Sequence, residues 1–510
     1  GELLDMNLMA GMGRYLDSGD GSDISYENAN DHIQGSSVGM ADGPFYPTSY
    51  KYKNEKRSQF VRGSFDLFGR YVVSASLRRD GTDKFFPSKK YALFPSVSLA
   101  WKMNEESFIK NISWINMLKL RASYGETGSD NLGTTLYGIV TTTREDVQFN
   151  NNSVTYIPYI LSGANYEDVT WQKTVMKNIG LDFSIFRDRI WGSVDVFRND
   201  VTHLLGTAPT ELLGMHGTRP INGGHYKRTG IDVSLNSLNL QTHDFKWTSQ
   251  ITMSHYNAVW IERMPNYDYQ KYQKRKNEPM NAFYYYKTTG IIDMDKSNMP
   301  ESQRSLGPAA CMPGYPIVED KNGDGIIDVN DSYMDNMLPK LYFGFGNTFT
   351  WKNFDLDIFM YGQLGVKKWN DAYSYSADAG NLSRGVDAHN VGIYSYNIWN
   401  TQTNTNGYFP GIAISKSVAL PENLGFDYTR ENASYIRVRN ITLGYNLGPK
   451  ELSVFKGYIR GIRVFVDFQN PLTFTKYKGY DPEINTSSSN LTGGQYPQMR
   501  VYSIGAKLTF

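Results

Sequence analysis

Alternation of apolar and polar residues with a period of two runs through most of this 510-residue chain. In the segment "YVVSASLRR", Tyr71, Val73, Ala75 and Leu77 share one face, and the residues between them share the other. Successive side chains of a β-strand point to opposite faces, so this alternation predicts a strand with two chemically different sides. The pattern recurs in "LKLRASYGE", "IGLDFSIF", "LYFGFGNTFTW", "FDLDIFMYG" and "YIRVRNITLGYN". The chain is therefore predicted to be all-β, with about 14 to 16 strands.

The connections between these strands are short at one end and long at the other. Short turns are predicted at Arg187–Arg189 and Lys352–Asn353, whereas long polar segments occupy residues 127–165, 259–338 and 365–432. Outer-membrane barrels combine short periplasmic turns with long extracellular loops. A soluble β-sandwich alternates as well, but it has shorter strands and loops at both ends. The asymmetry therefore favours a transmembrane antiparallel β-barrel.

The chemistry of the two strand faces points the same way. A water-filled lumen accepts charged side chains in mid-strand, whereas a sandwich core would require a partner for each of them. The charged residues in question are Lys119, Arg121, Asp182, Asp195, Asp232, Asp355, Asp357, Arg437 and Arg439. Aromatic residues at strand ends are expected to form interfacial girdles, or else to be ordinary aromatics at the edge of a soluble protein. They are Trp101, Trp191, Trp247, Trp351 and Tyr445.

Composition excludes several classes of protein. The net charge is +1, so nothing suggests a nucleic-acid partner. Cys311 is the only cysteine, which rules out an intrachain disulfide and a cysteine-based zinc site. The sequence contains no HExxH and no phosphate-binding-loop motif. We therefore expect that the protein is not an enzyme.

The segment "DKNGDGIIDVND", residues 320–331, has the ligand spacing of an EF-hand calcium loop. Its flanks carry prolines and lead into a strand, so the paired helices of a calcium sensor are not expected. The interpretation is a structural calcium site within the long loop 259–338, and the alternative is a solvated turn without metal. The candidate ligands are Asp320, Asn322, Asp324, Ile326 through its carbonyl, Asp328 and Asp331.

Aromatic residues crowd the long loops, as in "FYYYK", "WNDAYSYS" and "YSYNIWN". Flat rings stack on sugars or on peptide side chains, and neighbouring polar groups supply hydrogen bonds. The alternative is that these rings pack the loops against one another or against a lid protein. The candidate substrate-binding residues are Tyr284, Tyr286, Trp369, Tyr373, Tyr375, Trp399 and Tyr408.

Several segments together resemble the SusC/RagA-type TonB-dependent transporters of Bacteroidetes outer membranes. They include "SASLRRDGTDKFFPSKKYALFPSVSLAWKMNEESFI", "INMLKLRASYGETGSDNLG", the 320–331 loop, "ASYIRVRNITLGYNL" and "DFQNPLTFTKYKGYDPE". The final "MRVYSIGAKLTF" likewise resembles the assembly signal of bacterial outer-membrane proteins, with Phe510 as its last residue.

The resemblance implies a barrel of ~22 strands whose lumen holds an N-terminal plug, in the outer membrane of a Gram-negative bacterium. It implies active import of oligosaccharides or peptides. The partners would be a SusD-like surface lipoprotein and the TonB complex, and pairs of SusC- and SusD-like subunits could form dimers.

This chain departs from the family pattern at its beginning, where no plug and no TonB box are evident. Residues 1–510 are interpreted as the C-terminal part of the barrel, with the remaining strands and the plug supplied by another segment. Open strand edges in lipid would otherwise be intolerable. Two alternatives stay open, namely a passive porin or adhesin barrel complete in this chain, and a secreted calcium-dependent β-rich glycan-binding protein.

Overall fold

The fold was analysed in a computed structural model. It describes residues 3–26, 45–132, 141–142, 145–149, 152–156, 159–160, 167–209, 218–265, 270–274, 277–369, 397–407, 420–448, 451–452, 458–479, 481–484 and 497–510.

One large antiparallel sheet of 14 strands dominates the structure, and each strand pairs with the next in chain order. This confirms the all-β prediction and the expected strand number. The strands are β1 Leu4–Tyr26, β2 Phe45–Leu67, β3 Tyr71–Thr82, β4 Tyr91–Lys102, β5 Ile115–Ser129, β6 Gln172–Ile185, β7 Ile190–Pro209, β8 Thr218–Gln241, β9 Phe245–Glu262, β10 Leu341–Trp351, β11 Phe354–Leu364, β12 Tyr435–Leu447, β13 Gly461–Thr475 and β14 Val501–Thr509.

The short turns lie where the alternation places them, between β6 and β7 and between β10 and β11. In the first, Phe186, Arg187 and Asp188 all have positive φ angles, a conformation that costs energy for residues with a Cβ. The Asn116 side-chain oxygen accepts hydrogen bonds from the Arg187 and Asp188 amides at 2.8 and 3.3 Å, which helps to hold the turn. The second is a two-residue hairpin in which Lys352 has a φ of 51°.

The register of the sheet confirms the two-faced strands. Asp182 lies opposite Lys119 and Gly180 lies opposite Arg121, so the charged residues of β5 and β6 share one face. Ile179 belongs to the other face and is 62% exposed. In a closed outer-membrane barrel, such a polar face would line the lumen and such an apolar face would meet lipid.

The five strand-end aromatics all lie near the short-turn end of the sheet. Trp247 stacks on Phe349, and Tyr445 packs edge-on against Phe354, on the apolar face. Trp191 differs from the others because it pairs with Ser184 and shares the polar face with Asp195. Trp191 is therefore on the lumen side, and the alternation around "IWGSVDVF" already placed it opposite the apolar residues.

The two end strands, β1 and β14, form the edges of the sheet. Among the described residues they do not pair with each other, so the sheet does not close into a small barrel by itself. Both edges carry exposed apolar side chains such as Met12 and Ile504.

Helices are few and short among the described residues, and none is long and apolar enough to cross a membrane. They comprise the four-residue α-helix Ser107–Lys110 and the 3-10 helices Pro87–Lys89, Met103–Glu105, Lys271–Lys274, Glu301–Leu306, Pro308–Cys311, Val329–Asp331, Pro421–Asn423 and Asp427–Thr429.

Short strands occur in the long connections. They form the pairs Thr141–Thr142 with Tyr159–Ile160, Glu145–Phe149 with Asn152–Tyr156, Thr288–Ile291 with Pro316–Val318, and Lys367–Trp369 with Arg430–Asn432. A three-stranded sheet joins Ala282–Tyr286, Tyr333–Asn336 and Gly425–Phe426.

The face assignment is tested by two neighbouring residues of β6. Replacing Ile179 by Arg puts a charge into lipid and is expected to cost about 2–4 kcal/mol if the residue lies near the bilayer midplane. The matched control, Asn178→Arg, puts the same charge into the lumen, where Asn178 pairs with Ser123 and Phe197. The measurement is the folded, heat-modifiable fraction of the full-length protein on unboiled gels. Equal loss of folded protein in both variants would contradict the assignment.

Candidate functional site

Ion pairs cross-link the polar face of β5, β6 and β7. Arg121 donates to both carboxylate oxygens of Asp182, at 2.8 and 2.7 Å, and also to Asp195 at 3.1 Å. Gly180 makes this possible, because a Cβ there would lie 2.4 Å from an Asp195 oxygen and 2.7 Å from the Arg121 guanidinium. In a watery lumen such pairs contribute little stability. Their main effect is to hold neighbouring strands in one register.

Three further carboxylates on this face are held by hydroxyl groups. Ser254 donates to Asp232, Thr348 to Asp357 and Thr442 to Asp467, and the first two of these bonds are 2.6 Å long. These contacts leave lone pairs of the carboxylates facing the lumen. At these three positions the wall beneath the long loops therefore presents hydrogen-bond acceptors.

The connections after β9 and β11 fold together above this wall. We call residues 277–340, 367–369 and 420–432 the loop layer. One of its cores consists of Tyr286, Val318, Ile327 and Leu420. Asp335 links the two connections, since Lys367 and Arg430 each lie 3.0 Å from its carboxylate.

Packing in the loop layer also affects its titratable groups. Burial raises the pKa of Tyr285 to about 12, and the negative charge of Asp335 adds to the shift. Arg430 lies over the Phe283 ring at 4.2 Å, a cation–π contact that keeps its buried charge near the carboxylate of Asp335. The loop layer is thus a folded unit with its own core and ionic contacts.

The 320–331 loop adopts a tight turn with its carboxylates bonded to backbone amides. Asp320 accepts from Gly323 and Gly325 at 2.7 and 2.9 Å, and Gly325 has a φ of 85°, which suits a glycine at the sixth position. Asp331 is fully buried and accepts from the Lys321, Asn322 and Asp328 amides at 2.9, 3.3 and 2.8 Å.

The fit of this loop to a calcium ion is therefore mixed. Its donor set is hard oxygen, as calcium requires, and the glycine position is suitable. Asp331, however, points at backbone amides, and no cluster of three acidic, histidine or cysteine side chains able to hold a metal is present in the described part of the chain. Binding of calcium would require Asp331 to turn from these amides.

The structure places the candidate substrate-binding aromatics in different surroundings. Tyr286 is fully buried, and its hydroxyl donates to the Asp328 carbonyl oxygen at 3.0 Å. Trp399 is also buried and lies against Gly314. Tyr284 packs against Tyr272 with ring centroids 4.6 Å apart. These positions favour the alternative interpretation, in which the rings pack the loops.

Of the other residues singled out from the sequence, Trp369 and Phe510 lie in the described part of the chain. Trp369 ends the short strand Lys367–Trp369. Tyr373, Tyr375 and Tyr408 lie outside the described residues. Phe510 follows the last residue of β14 and is 76% exposed on the apolar face of the edge strand.

Sequence reasoning missed a cavity in the polar wall below the loop layer. It has a volume of about 580 Å³ and is lined by residues of β7 to β12, many of them aromatic or hydroxyl-bearing, and by Glu483. The central ones are Asp232, Ser254, Tyr342, Phe359 and Tyr361. The alternation could have revealed it, because these aromatic residues occupy positions on the polar face of their strands. Aromatic side chains are unusual there.

One edge of this cavity is formed by a segment anchored to β12. Arg437, 2% exposed, contacts Asp481 at 2.6 Å and Glu483 at 2.9 Å. Tyr361 donates its hydroxyl to Glu483 at 2.7 Å. Lys368 donates to the carbonyl oxygens of Pro482 and Ile484, and burial lowers the pKa of its amine. These contacts hold residues 481–484 against the wall.

Comparison with known proteins decides the family. Residues 3–470 match the family model described as "TonB dependent receptor-like, beta-barrel". The chain belongs to this family. Its sheet is accordingly part of an outer-membrane β-barrel, which confirms the predicted fold class and localisation.

Several individual proteins are similar along almost the whole chain. TonB-dependent receptor P3 of Formosa agariphila is 28% identical over 96% of this chain and 48% of its own length. TonB-dependent receptor SusC of Bacteroides thetaiotaomicron is 27% identical over 91% of this chain and 44% of its own length. The chain therefore spans about half the length of these relatives.

Among solved structures, the RagAB peptide transporter matches the fold. The TM-score is 0.74 at 21% sequence identity, over 99% of this chain and 53% of that one. This match shows the shared fold, and together with the family model and the similarity to SusC it confirms the resemblance that the sequence motifs indicated.

The anchor at Arg437 is expected to be essential for the position of residues 481–484. Arg437→Met leaves two carboxylates buried beside an apolar side chain, which should cost about 3–5 kcal/mol. The control is Arg439→Met, since Arg439 is exposed and bonds only Asn470 among the described residues, so its loss should cost about 0.5 kcal/mol. The measurement is denaturant unfolding of the full-length protein together with proteolysis near residue 484. Equal effects of the two substitutions would contradict this account.

Proposed function

We propose that this chain is the C-terminal barrel portion of a SusC-like TonB-dependent transporter that imports large nutrients across the outer membrane. The main observation in support is the open 14-stranded sheet with one polar face. It occurs in a chain that matches this family from residue 3 to residue 470. The nutrients would be oligosaccharides or peptides.

The remaining strands and the plug are proposed to come from the rest of the same polypeptide. The exposed N–H and C=O groups of β1 and β14 need partners in lipid, where an unsatisfied backbone group costs several kcal/mol, roughly. Relatives that extend for about twice this length offer room for such strands. Residues 1–510 are accordingly proposed to contain no plug.

The proposed partners are a SusD-like surface lipoprotein and the TonB complex, the latter acting through the N-terminal part. The lipoprotein is supported by the similarity to SusC and by the folded loop layer, which offers a rigid outer surface for a lid. We also propose that two transporter–lipoprotein pairs can associate as a dimer. Neither nucleic acid nor a catalytic reaction has a place in this proposal.

The transport proposal is tested by deletion of the full-length gene. The deletion strain should lose growth on one nutrient of a panel of polysaccharides and protein digests supplied at limiting concentration. The full-length gene should restore growth, and the 510-residue chain alone should not, because its sheet edges are unpaired. A protonophore should stop uptake. Uptake that continues with the protonophore would instead identify a passive channel.

We also propose that calcium binds the 320–331 loop as a structural ion, with Asp320, Asn322, Asp324, Ile326, Asp328 and Asp331 as ligands. Its support is the ligand spacing and the conformation of Gly325. The ion would stabilise the loop layer from within, because Tyr286 in its core already bonds the Asp328 carbonyl.

Calorimetry of the full-length protein tests this site. Millimolar calcium should give a binding heat that Asp324→Asn removes, since Asp324 is exposed and serves no core contact. The control is Asp295→Asn, which alters a loop carboxylate that caps Ser297 and lies outside the 320–331 segment. Absence of heat at millimolar calcium, or equal loss in both variants, would refute the site.

A further inference from the structure

Phe359 lies flat on the lumen wall instead of projecting from it. Its neighbours on β10 are two glycines: a Cβ added at Gly344 would lie 3.3 Å from the ring's Cζ, and one at Gly346 would lie 3.6 Å from its Cδ2. The ring therefore rests on bare backbone. Phe359 remains 37% exposed, so within the described part of the chain no residue covers its other face. Such a ring offers a flat apolar platform without a rotamer that must be ordered on binding.

Polar groups surround this platform. Tyr361 runs nearly parallel to Phe359, with ring planes 12° apart and centroids 6.4 Å apart. Tyr342 and Gln363 line the same cavity, together with the hydroxyls of Ser193, Ser234, Thr252 and Ser254. Asp232 is exposed, and within the described ranges its hydrogen-bond donor is Ser254. Its other lone pairs can accept hydrogen bonds from a ligand.

The charged groups at the cavity are one cation and three carboxylates, so this part of the wall is net negative. The buried cation Arg437 is occupied by Asp481 and Glu483, and Glu483 also accepts the Tyr361 hydroxyl. Asp232 is thus the carboxylate left to a ligand. One acceptor group beside hydroxyls and flat rings suits an uncharged molecule with many hydroxyl donors, whereas a strongly anionic molecule would be repelled.

The backbone of this wall is closed to a peptide strand. Each of the strands that line the cavity, from β7 to β12, pairs on both sides within the large sheet. No strand edge is therefore available there for β-augmentation, the mode by which an extended peptide binds through its main chain. Recognition on this wall therefore rests on side chains, and an oligosaccharide suits them, with one C–H face stacked on Phe359 and hydroxyls near Asp232.

We propose that Phe359, which packs over Gly344 and Gly346, forms part of a sugar-binding subsite in the lumen. A neutral pyranose or furanose ring of a transported oligosaccharide would stack on its ring. This deepens the proposed transport function and rests on it. Asp232 and Ser254 supply the hydrogen bonds, and Tyr342 and Tyr361 flank the ring.

The test uses the full-length transporter in detergent and a panel of neutral oligosaccharides of glucose, xylose, mannose, galactose and fructose. Binding is measured by saturation-transfer NMR and calorimetry. At least one oligosaccharide should bind, and Phe359→Ala should weaken it by about tenfold, whereas Phe359→Tyr keeps the flat ring and most of the affinity.

The matched control is Phe465→Ala. Phe465 faces the lumen as well and lies over Gly505, but it is outside the cavity and sits near the short-turn end of β13. Its loss should leave binding unchanged. Normal heat-modifiable migration of all variants shows that they are folded.

Three outcomes would overturn the inference: no neutral oligosaccharide binds, Phe465→Ala weakens binding as much as Phe359→Ala, or a tryptic peptide pool binds in a Phe359-dependent manner instead. Binding is measured in detergent, without an energised membrane. The result therefore tests the sugar subsite even if active import is not observed. Conversely, protonophore-sensitive import of peptides without sugar binding would support the transport proposal and refute the sugar subsite.

Discussion

The strongest constraint on this molecule is the need of every backbone N–H and C=O group for a partner inside a lipid bilayer. Adjacent strands satisfy each other across the 14-stranded sheet, and this pairing fixes the register that separates the two faces. Once the register is set, Ile179 faces lipid and its neighbour Asn178 faces water. The polar wall, its ion pairs and its cavity all follow from that separation. By the same requirement, the edges of β1 and β14, which are unpaired among the described residues, need partner strands in a membrane.

Above the wall, stability comes from a different source. The loop layer has buried cores and internal ion pairs, as a small soluble domain would. Asp335 joins chain segments that are nearly a hundred residues apart, through Lys367 and Arg430. Arg437 plays the corresponding part for residues 481–484. Rigid outer loops can present a defined opening to the lumen, which a transporter for bulky solutes requires.

The sequence allowed the fold to be predicted because period-two alternation is a local signal. It located the strands, the short turns at Arg187–Arg189 and Lys352–Asn353, and the lumen charges. It did not reveal what those charges contact, since Arg437 meets Asp481 only through the return of a distant connection. The loop aromatics Tyr286 and Trp399 were selected for their chemistry, yet the three-dimensional packing buries both. Phe359 was overlooked because its platform depends on glycines in the neighbouring strand, and cross-strand neighbours are not visible in a single strand.

Glycines beneath large side chains have a consequence for how such a barrel can change over evolutionary time. Gly180 leaves room for the guanidinium of Arg121, and Gly344 leaves room for the ring of Phe359. A Cβ at Gly180 would lie 2.7 Å from the Arg121 guanidinium, and one at Gly344 would lie 3.3 Å from the Phe359 ring, so each glycine is constrained while its large neighbour is kept. We expect the two positions of each pair to co-vary among relatives, with glycine lost only where the large residue is lost too. Bulky residues can thus replace these glycines only after the large neighbouring side chains have changed.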